Sequence, residues 1–241
     1  MFYRLVAAEL LPNTTVAYHT LSSRTAAARR RGGFPALLDR TREIHRHIFF
    51  SNPGEARAYL AAIYRRDRTA GQQEAVYLGV EKHGIVAQLE AWFSDYGLRI
   101  LALGGYSSQT YVDEIAQDAE EDGRPAVLIY AGDWDPSGED ITRDFLARCS
   151  VFSEAVRVAL NAKQVAHYKL PEMPGKSTDT RAAGFIRRHG RLAQVELDAL
   201  PPDTLRELFT LELGEHMDMS AFKAQLKRET RDHKALGSER R

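Results

Sequence analysis

Two aspartates, one residue apart, follow a short apolar segment in the middle of the chain. Residues 127–131 are apolar, Gly132 ends the run, and Asp133 and Asp135 come next. In extended or turn backbone, residues i and i+2 project to the same side, so both carboxylates can face one small cation. Carboxylates next to solvent suit Mg²⁺, which keeps several waters and is usually shared with a substrate phosphate. The alternative is an acidic turn in which Asp135 or Ser137 caps the following helix.

A third carboxylate follows another apolar segment. Residues 76–80 end at Glu81, and a helical pattern that includes Ile85 and Leu89 comes after it. If the two segments are neighbouring parallel strands, Glu81 lies beside the aspartate pair at the carboxyl edge of the sheet. Open α/β sheets place their ligand sites at this edge. We therefore expect the three acids to lie together at a candidate ligand site.

The elements that must position these acids alternate between strand and helix. Strands are expected at residues 76–80, 98–103 and 127–131, each followed by a helical pattern. A further strand is expected at residues 165–170 and a further helix at residues 203–216. This order predicts an α/β fold with a Rossmann-like, mostly parallel sheet, and we place this domain at residues 76–241.

Residues 1–75 have a different character. Helices are expected at residues 2–11 and from about residue 15, the second carrying Val16 inward and ending in the basic cluster Arg29, Arg30 and Arg31. Residues 34–41 are short and broken by proline, as in a turn or wing. Two short helices and a basic cluster are typical of a helix-turn-helix or winged-helix DNA-binding module. The cluster could contact phosphates, or it could simply be favourable charge at a helix C-terminus, and both can hold.

Composition and charge narrow the class of protein. The formal net charge is zero, yet residues 1–75 carry +6 and residues 76–150 carry −9. A basic part beside an acidic part suggests that one binds phosphates and the other binds metal, although a solvated basic surface would give the same count. No apolar run approaches the roughly 20 residues of a membrane span. The single cysteine, Cys149, excludes an internal disulfide framework and fits a cytoplasmic protein.

Motifs in both parts resemble one protein family. Glu81-Lys82 at one strand end, with Asp133-x-Asp135-Pro136-x-Gly138 at another, resembles the Toprim domain of the topoisomerase VI A subunit and of the related meiotic double-strand-break transesterase. The first part is similar to the winged-helix part of these proteins in Phe2-Tyr3, Pro12-Asn13-Thr14, Tyr18 and Ala28-Arg29-Arg30.

The resemblance implies a mechanism. Mg²⁺ would be held by Glu81, Asp133 and Asp135 next to a scissile phosphate of double-stranded DNA, and Tyr3 would attack that phosphate to form a tyrosyl-DNA ester. A tyrosine with a pKa near 10 needs a base or a nearby cation, and Arg4 or the metal of a partner subunit could provide it.

Several partners and contacts follow from the same resemblance. The tyrosine of one subunit works with the metal of the other in this family, which implies a homodimer. The chain has no ATPase motif, so strand passage would need a separate ATP-binding B-type subunit. Arg4, Lys82 and Lys176 are expected to contact DNA in a cytoplasmic, nucleoid-associated protein. Glu196 and Asp198 are further candidate metal ligands.

Two other functions remain open at the level of sequence. One is a Toprim nuclease in which metal-activated water, rather than Tyr3, attacks the phosphate. The other is a DNA-binding accessory protein of a mobile element, without catalysis.

Overall fold

Four parallel strands form the sheet of the computed structural model, which describes residues 2–35, 47–176 and 178–237. The strands are β1 (Ala75–Val80), β2 (Arg99–Ala102), β3 (Ala126–Ala131) and β4 (Phe152–Ala159), in the order β2-β1-β3-β4. A separate antiparallel pair consists of β5 (Met173–Pro174) and β6 (Ala193–Gln194). The α/β class and the parallel sheet are confirmed, and the sheet is compatible with a Rossmann-like domain.

The helices of the described residues surround this sheet and precede it. Their bounds are α1 (Phe2–Ala7), α2 (Thr15–Arg30), α3 (Pro53–Ile63), α4 (His83–Phe93), α5 (Gln109–Asp122), α6 (Pro136–Arg148), α7 (Ala162–His167), α8 (Ala182–His189), α9 (Pro202–His216) and α10 (Met219–Gly237). Among them, none combines the length and the apolar composition that a membrane span requires.

The core has two layers because alternate residues of a strand point to opposite faces of the sheet. On one face, Val76 and Leu78 pack with the buried apolar residues of α4 and α9. On the other face, Tyr77 packs with α5 and with Phe145 of α6. The two central strands, β1 and β3, are buried along their whole length, as their continuous apolar sequences predict.

The register of β1 and β3 brings their carboxyl ends side by side. Val80 pairs with Ala131, and the amide of Glu81 donates to the carbonyl of Ala131 over 3.1 Å. The predicted adjacency of the two acidic strand ends is therefore confirmed.

One strand was predicted in the wrong place. The fourth strand is β4, whereas the segment predicted as a strand at residues 165–170 lies at the end of α7 and in the turn after it. Asn161 and Gln164 form a reciprocal capping box at the start of α7, which favours a helix over a strand. The apolar residue Val165 packs into the core from this helix rather than from a strand.

The described residues before β1 form helices and contain no strand. Helix α1 is shorter than predicted because Glu9 adopts a left-handed conformation (φ 58°) that ends it. Helix α2 starts as predicted, with Thr14 as its N-cap, but Val16, predicted to face inward, is 76% exposed. Most of the predicted wing, at residues 34–41, lies outside the described residues, so the winged-helix assignment stays a prediction.

The segment between α3 and β1 is anchored rather than free. Arg68 makes two hydrogen bonds to the buried carboxylate of Glu229 on α10, at 2.6 and 3.0 Å. Thr69 accepts from Arg124, which precedes β3. These contacts tie the segment before the sheet to both the C-terminal helix and the sheet itself.

Candidate functional site

Two of the three predicted acids are in direct hydrogen-bond contact. The carboxylate of Glu81, at the end of β1, accepts the backbone N–H of Asp133 through Oε2 at 2.9 Å. Asp133 is 6% exposed, and its Oδ1 accepts the backbone N–H of Leu197 at 2.7 Å. The carboxyl edge of the sheet thus joins the ends of β1 and β3 through side-chain to backbone contacts.

Asp135 serves as the N-cap of α6. Its Oδ1 accepts the N–H of Gly138 at 2.7 Å, and Pro136 occupies the first turn of the helix, where a missing N–H has no cost. The helix-cap interpretation of this motif is therefore observed. It does not exclude a second role, because the cap uses only one carboxylate oxygen.

Glycine is required in this loop by the packing. A β-carbon at Gly138 would collide with the carbonyl of Asp133 and would lie 3.1 Å from Oε2 of Glu81. A β-carbon at Gly132 would lie 3.0 Å from the same oxygen. The two glycines let the acidic loop fold closely around Glu81. Gly104, in the loop after β2, likewise packs against the backbone carbonyl of Glu81.

Burial makes the paired acids reluctant to ionise. Burial raises the pKa of Glu81, although its hydrogen bond from the Asp133 amide opposes this. The pKa of Asp133 is raised to about 8, chiefly by burial; Lys82 opposes this rise, and the charge of Glu81 adds to it. Two neighbouring carboxyl groups, one half-buried and one buried, are costly when both are charged, so a nearby cation would be favoured.

Lys82 lies within an acidic cluster instead of pointing freely to solvent. Its ammonium is 3.4 Å from Oδ1 of Asp133 and 3.6 Å from Oδ2 of Asp198, and it forms an ion pair with Glu196. Burial opposes the charge of Lys82, but these three carboxylates outweigh it and raise its pKa. The two acids considered as further metal ligands, Glu196 and Asp198, are thus next to the predicted site and bound to its lysine.

Tyr3 lies beside this cluster in the same chain. Helix α1 packs on the short 3₁₀ turn Leu197–Ala199, with Phe2 and Val6 buried. Tyr3 and Lys82 line a cavity of about 780 Å³ together with Glu196 and Asp198. The Lys82 ammonium is 5.9 Å from the centre of the Tyr3 ring. Burial, with Glu196 adding to it, raises the pKa of the Tyr3 hydroxyl.

The predicted DNA-contacting cations have different positions. Arg4 is exposed and lines the same cavity as Tyr3. Arg29, Arg30 and Arg31 are exposed at the C-terminal end of α2, and no contact among the described residues joins them to the acids. Lys176 is exposed in a separate groove beside Ser137. The structure therefore brings Tyr3 and Lys82 together with Glu196 and Asp198, and Arg4 lines the same cavity.

Arg157 is a residue that the sequence analysis missed. From β4, its guanidinium donates to the carbonyl of Asp133 at 2.6 Å, to the Thr142 hydroxyl at 3.2 Å and to the carbonyl of Leu160 at 3.1 Å. It therefore holds the acidic loop from behind and links it to α6. The only signal in the sequence was a basic residue in an otherwise apolar stretch, which has no motif around it.

The acids suit a metal ion whose coordination shell is completed by substrate. Within the described residues, no set of three acidic, histidine or cysteine side chains is placed to hold a metal ion by itself. Yet the hydrogen bonds described above use only one oxygen of each of Glu81, Asp133 and Asp135. Mg²⁺ commonly takes one or two carboxylates and completes its shell with waters and substrate phosphates. The unused oxygens of Glu81, Asp133 and Asp135 fit a Mg²⁺ ion that is bound in this way.

Comparisons with known proteins add no family assignment. No protein-family model matches the sequence, and no curated protein matches it significantly. The Toprim resemblance therefore rests on the residues at the two strand ends.

The raised pKa values predict how stability changes with pH when no metal is bound. Between the unfolded pKa of an aspartate, near 4, and the folded value of about 8 for Asp133, the folded state binds more protons than the unfolded state. Stability should therefore fall as the pH rises through this window. We expect urea unfolding in EDTA to show a larger loss from pH 5 to pH 8 in wild type than in Asp133→Asn. Equal losses in the two proteins would show that Asp133 is not the group responsible.

Proposed function

We propose that this chain is a Mg²⁺-dependent enzyme that cleaves double-stranded DNA by transesterification. The observation that carries the proposal is the contact between Glu81 and Asp133, with Asp135 two residues further on, at the adjacent carboxyl ends of β1 and β3. This contact places the carboxyl groups of Glu81 and Asp133 at the sheet edge where α/β folds place ligands. The Toprim resemblance supplies the specific chemistry.

Each residue has a distinct task in this mechanism. Glu81, Asp133 and Asp135 would hold the metal, and Arg157 would keep their loop in place. When bound, Mg²⁺ supplies Lewis-acid stabilisation of charge on the phosphate and on the leaving oxygen. Asp133 is buried and Glu81 is half-buried, so water is partly excluded from their carboxyl groups and electrostatic interactions at the edge are stronger.

Tyr3 provides the nucleophile. Its phenolic oxygen would form a bond to phosphorus while the bond from phosphorus to the 3′ oxygen breaks. The phenolic proton leaves to solvent, and the released 3′ oxygen takes up a proton. Lys82, 5.9 Å from the Tyr3 ring, is a nearby cation that favours the phenolate. A substrate phosphate that draws Lys82 partly away from its carboxylates would bring this cation closer to the reaction.

Tyr3 and the acids belong to one chain in this arrangement. We therefore propose that each chain contains a complete site, unlike the shared sites of the family that the sequence resembles. A homodimer remains part of the proposal, because two complete sites can cut both strands of a duplex. Strand passage would still need a separate ATPase subunit of the B type, and nucleoid association would follow from DNA binding.

Two observations favour the alternatives. The raised pKa of Tyr3 disfavours the phenolate, which supports a nuclease that uses metal-activated water. Lys82 already offsets charge on Asp133 within the acidic cluster, which supports a DNA-binding accessory protein without catalysis.

A denaturing gel separates the three functions. Linear duplex DNA labelled at its 3′ ends is incubated with the protein in Mg²⁺ or in EDTA, so that the detected fragment is the one that would carry the tyrosyl ester, and half of each sample is treated with protease before loading. Transesterification predicts DNA fragments that enter the gel only after protease treatment, and only with Mg²⁺. Protease-independent fragments would support the nuclease, and intact DNA that is nevertheless bound would support the accessory protein.

A further inference from the structure

A basic groove runs along α6, and none of its lining residues lines the cavity that contains Tyr3. It is formed by residues of α6, α8 and the loop before α8, and its volume in the section between α6 and α8 is about 670 Å³. Its charged side chains are Glu139, Asp140, Arg143, Lys176, Asp179, Arg181, Arg187 and Arg188.

The acids of the basic groove are all neutralised inside it. Glu139 is paired with Arg188 at 2.6 Å, and Asp140 with Arg143 at 2.8 Å. Asp179 is paired with Arg181 at 2.7 Å. The groove therefore has surplus positive charge rather than a balanced surface.

The surplus comes from two exposed residues. Among the described contacts, neither Arg187 nor Lys176 has a carboxylate partner. They stand at the two ends of a groove whose middle is held rigid by Arg181, which donates to the hydroxyls of Ser137 and Tyr106 at 2.8 and 2.9 Å. The groove therefore offers hydrogen-bond donors in fixed positions and few free hydrogen-bond acceptors, and such a surface suits an anion.

The basic groove starts where the acidic site ends. Pro136 and Ser137 line it, and they directly follow Asp135. A polyanion that placed one phosphate at the acids would have its neighbouring phosphates within reach of this groove. A duplex carries a charge about every 1.7 Å along its axis, so several would meet the groove at once.

We propose that the basic groove binds the phosphodiester backbone of DNA next to the cleaved phosphate, with Arg187 and Lys176 as its main contacts. Arginine and lysine contacts to phosphate position a duplex without reading its sequence, so binding through this surface is independent of sequence. The location of the groove relative to the cleavage point rests on the proposed function, but binding itself does not.

Salt-dependent binding tests the proposal without cleavage. A fluorescent 30-bp duplex is titrated in EDTA at several salt concentrations with wild type, Arg187→Glu/Lys176→Glu and the control Arg206→Glu. Arg206 is exposed on α9 and lies outside the groove. We expect the double variant to bind at least about 10-fold more weakly at 0.1 M salt, with a slope of log affinity against log salt reduced by about 2. The control should match wild type.

Other outcomes would overturn the proposal. An equal loss in the control would mean a general charge effect, and an unchanged slope would mean that no phosphate contact was lost. Polyglutamate that displaces the duplex as effectively as unlabelled duplex at matched charge would assign the groove to an acidic protein instead. The milder Arg187→Gln/Lys176→Gln variant loses the same two phosphate contacts and should reduce the slope by about the same amount, and it guards against misfolding caused by charge reversal.

Failure of this proposal differs from failure of the proposed function. If wild type binds through the groove but never cleaves, the groove stands and the catalytic proposal falls. If wild type cleaves DNA but the groove variants bind DNA like wild type, the groove proposal falls and the catalytic proposal stands.

Discussion

Replacing Asp135 by asparagine should lower Mg²⁺-dependent DNA cleavage by about 1,000-fold, since a metal's Lewis-acid effect is worth several kcal/mol and each 1.36 kcal/mol is a factor of ten. Asparagine caps helices as well as aspartate does, so the hydrogen bond to Gly138 and the start of α6 should survive. The change therefore removes a metal-binding charge and leaves the local fold intact. The assay is the initial rate of cleavage over a range of Mg²⁺ concentrations.

Asp144→Asn is the matched control for this variant. Asp144 lies on the same helix, and its carboxylate pairs with Arg148 at 2.8 Å, four residues further along. The control should cleave like wild type and unfold at a similar temperature to Asp135→Asn. Wild-type cleavage by Asp135→Asn would remove this residue from the catalytic site.

Replacing Tyr3 by phenylalanine should abolish the covalent protein-DNA adduct, because only the hydroxyl that forms the ester is lost. The ring keeps its packing beside Phe2, so α1 should stay docked on Leu197–Ala199. The measurement is protein-linked DNA on a denaturing gel. Free DNA ends that persist in Tyr3→Phe at the wild-type rate would favour the nuclease that uses water.

A mixture of two inactive variants tests which chain supplies the tyrosine. Tyr3→Phe and Asp135→Asn are coexpressed with different tags and purified through both, so that every complex contains each variant. Because Tyr3 lies beside Lys82, Glu196 and Asp198 of its own chain, we expect no adduct from this mixture. Adduct formation would show that the tyrosine of one subunit acts at the acids of the other.

The acidic strand ends could be predicted from the sequence because the residues that specify them are neighbours in the chain. Residues 76–80 and 127–131 are uninterrupted apolar runs, and parallel strands must meet at their carboxyl ends. The D-x-D-P-x-G motif also contains its own helix start, the cap at Asp135. The cap, the turn and the strand are each specified by neighbouring residues.

What the sequence did not reveal depends on contacts between distant residues. Lys82 meets Glu196 across 114 positions, and no local pattern records such a pair. Strand β4 is an edge strand with polar residues such as Glu154 and Arg157, so its apolar signal is weak. Residues 165–170 were predicted as a strand, although the capping box of Asn161 and Gln164 begins a helix that contains Val165. The left-handed Glu9 that ends α1 is likewise unmarked by glycine or asparagine.

Binding of Mn²⁺, a spectroscopic substitute for Mg²⁺, is the most direct test of the central claim that Glu81, Asp133 and Asp135 hold one divalent ion beside a DNA phosphate. Electron paramagnetic resonance would measure bound Mn²⁺ in the Tyr3→Phe protein, with and without duplex DNA, and in the same protein carrying Glu81→Gln or Asp135→Asn. We predict one Mn²⁺ ion per chain, bound weakly without DNA and more tightly with it, and lost when either acid is substituted. Equal Mn²⁺ binding with and without the acids would contradict this prediction.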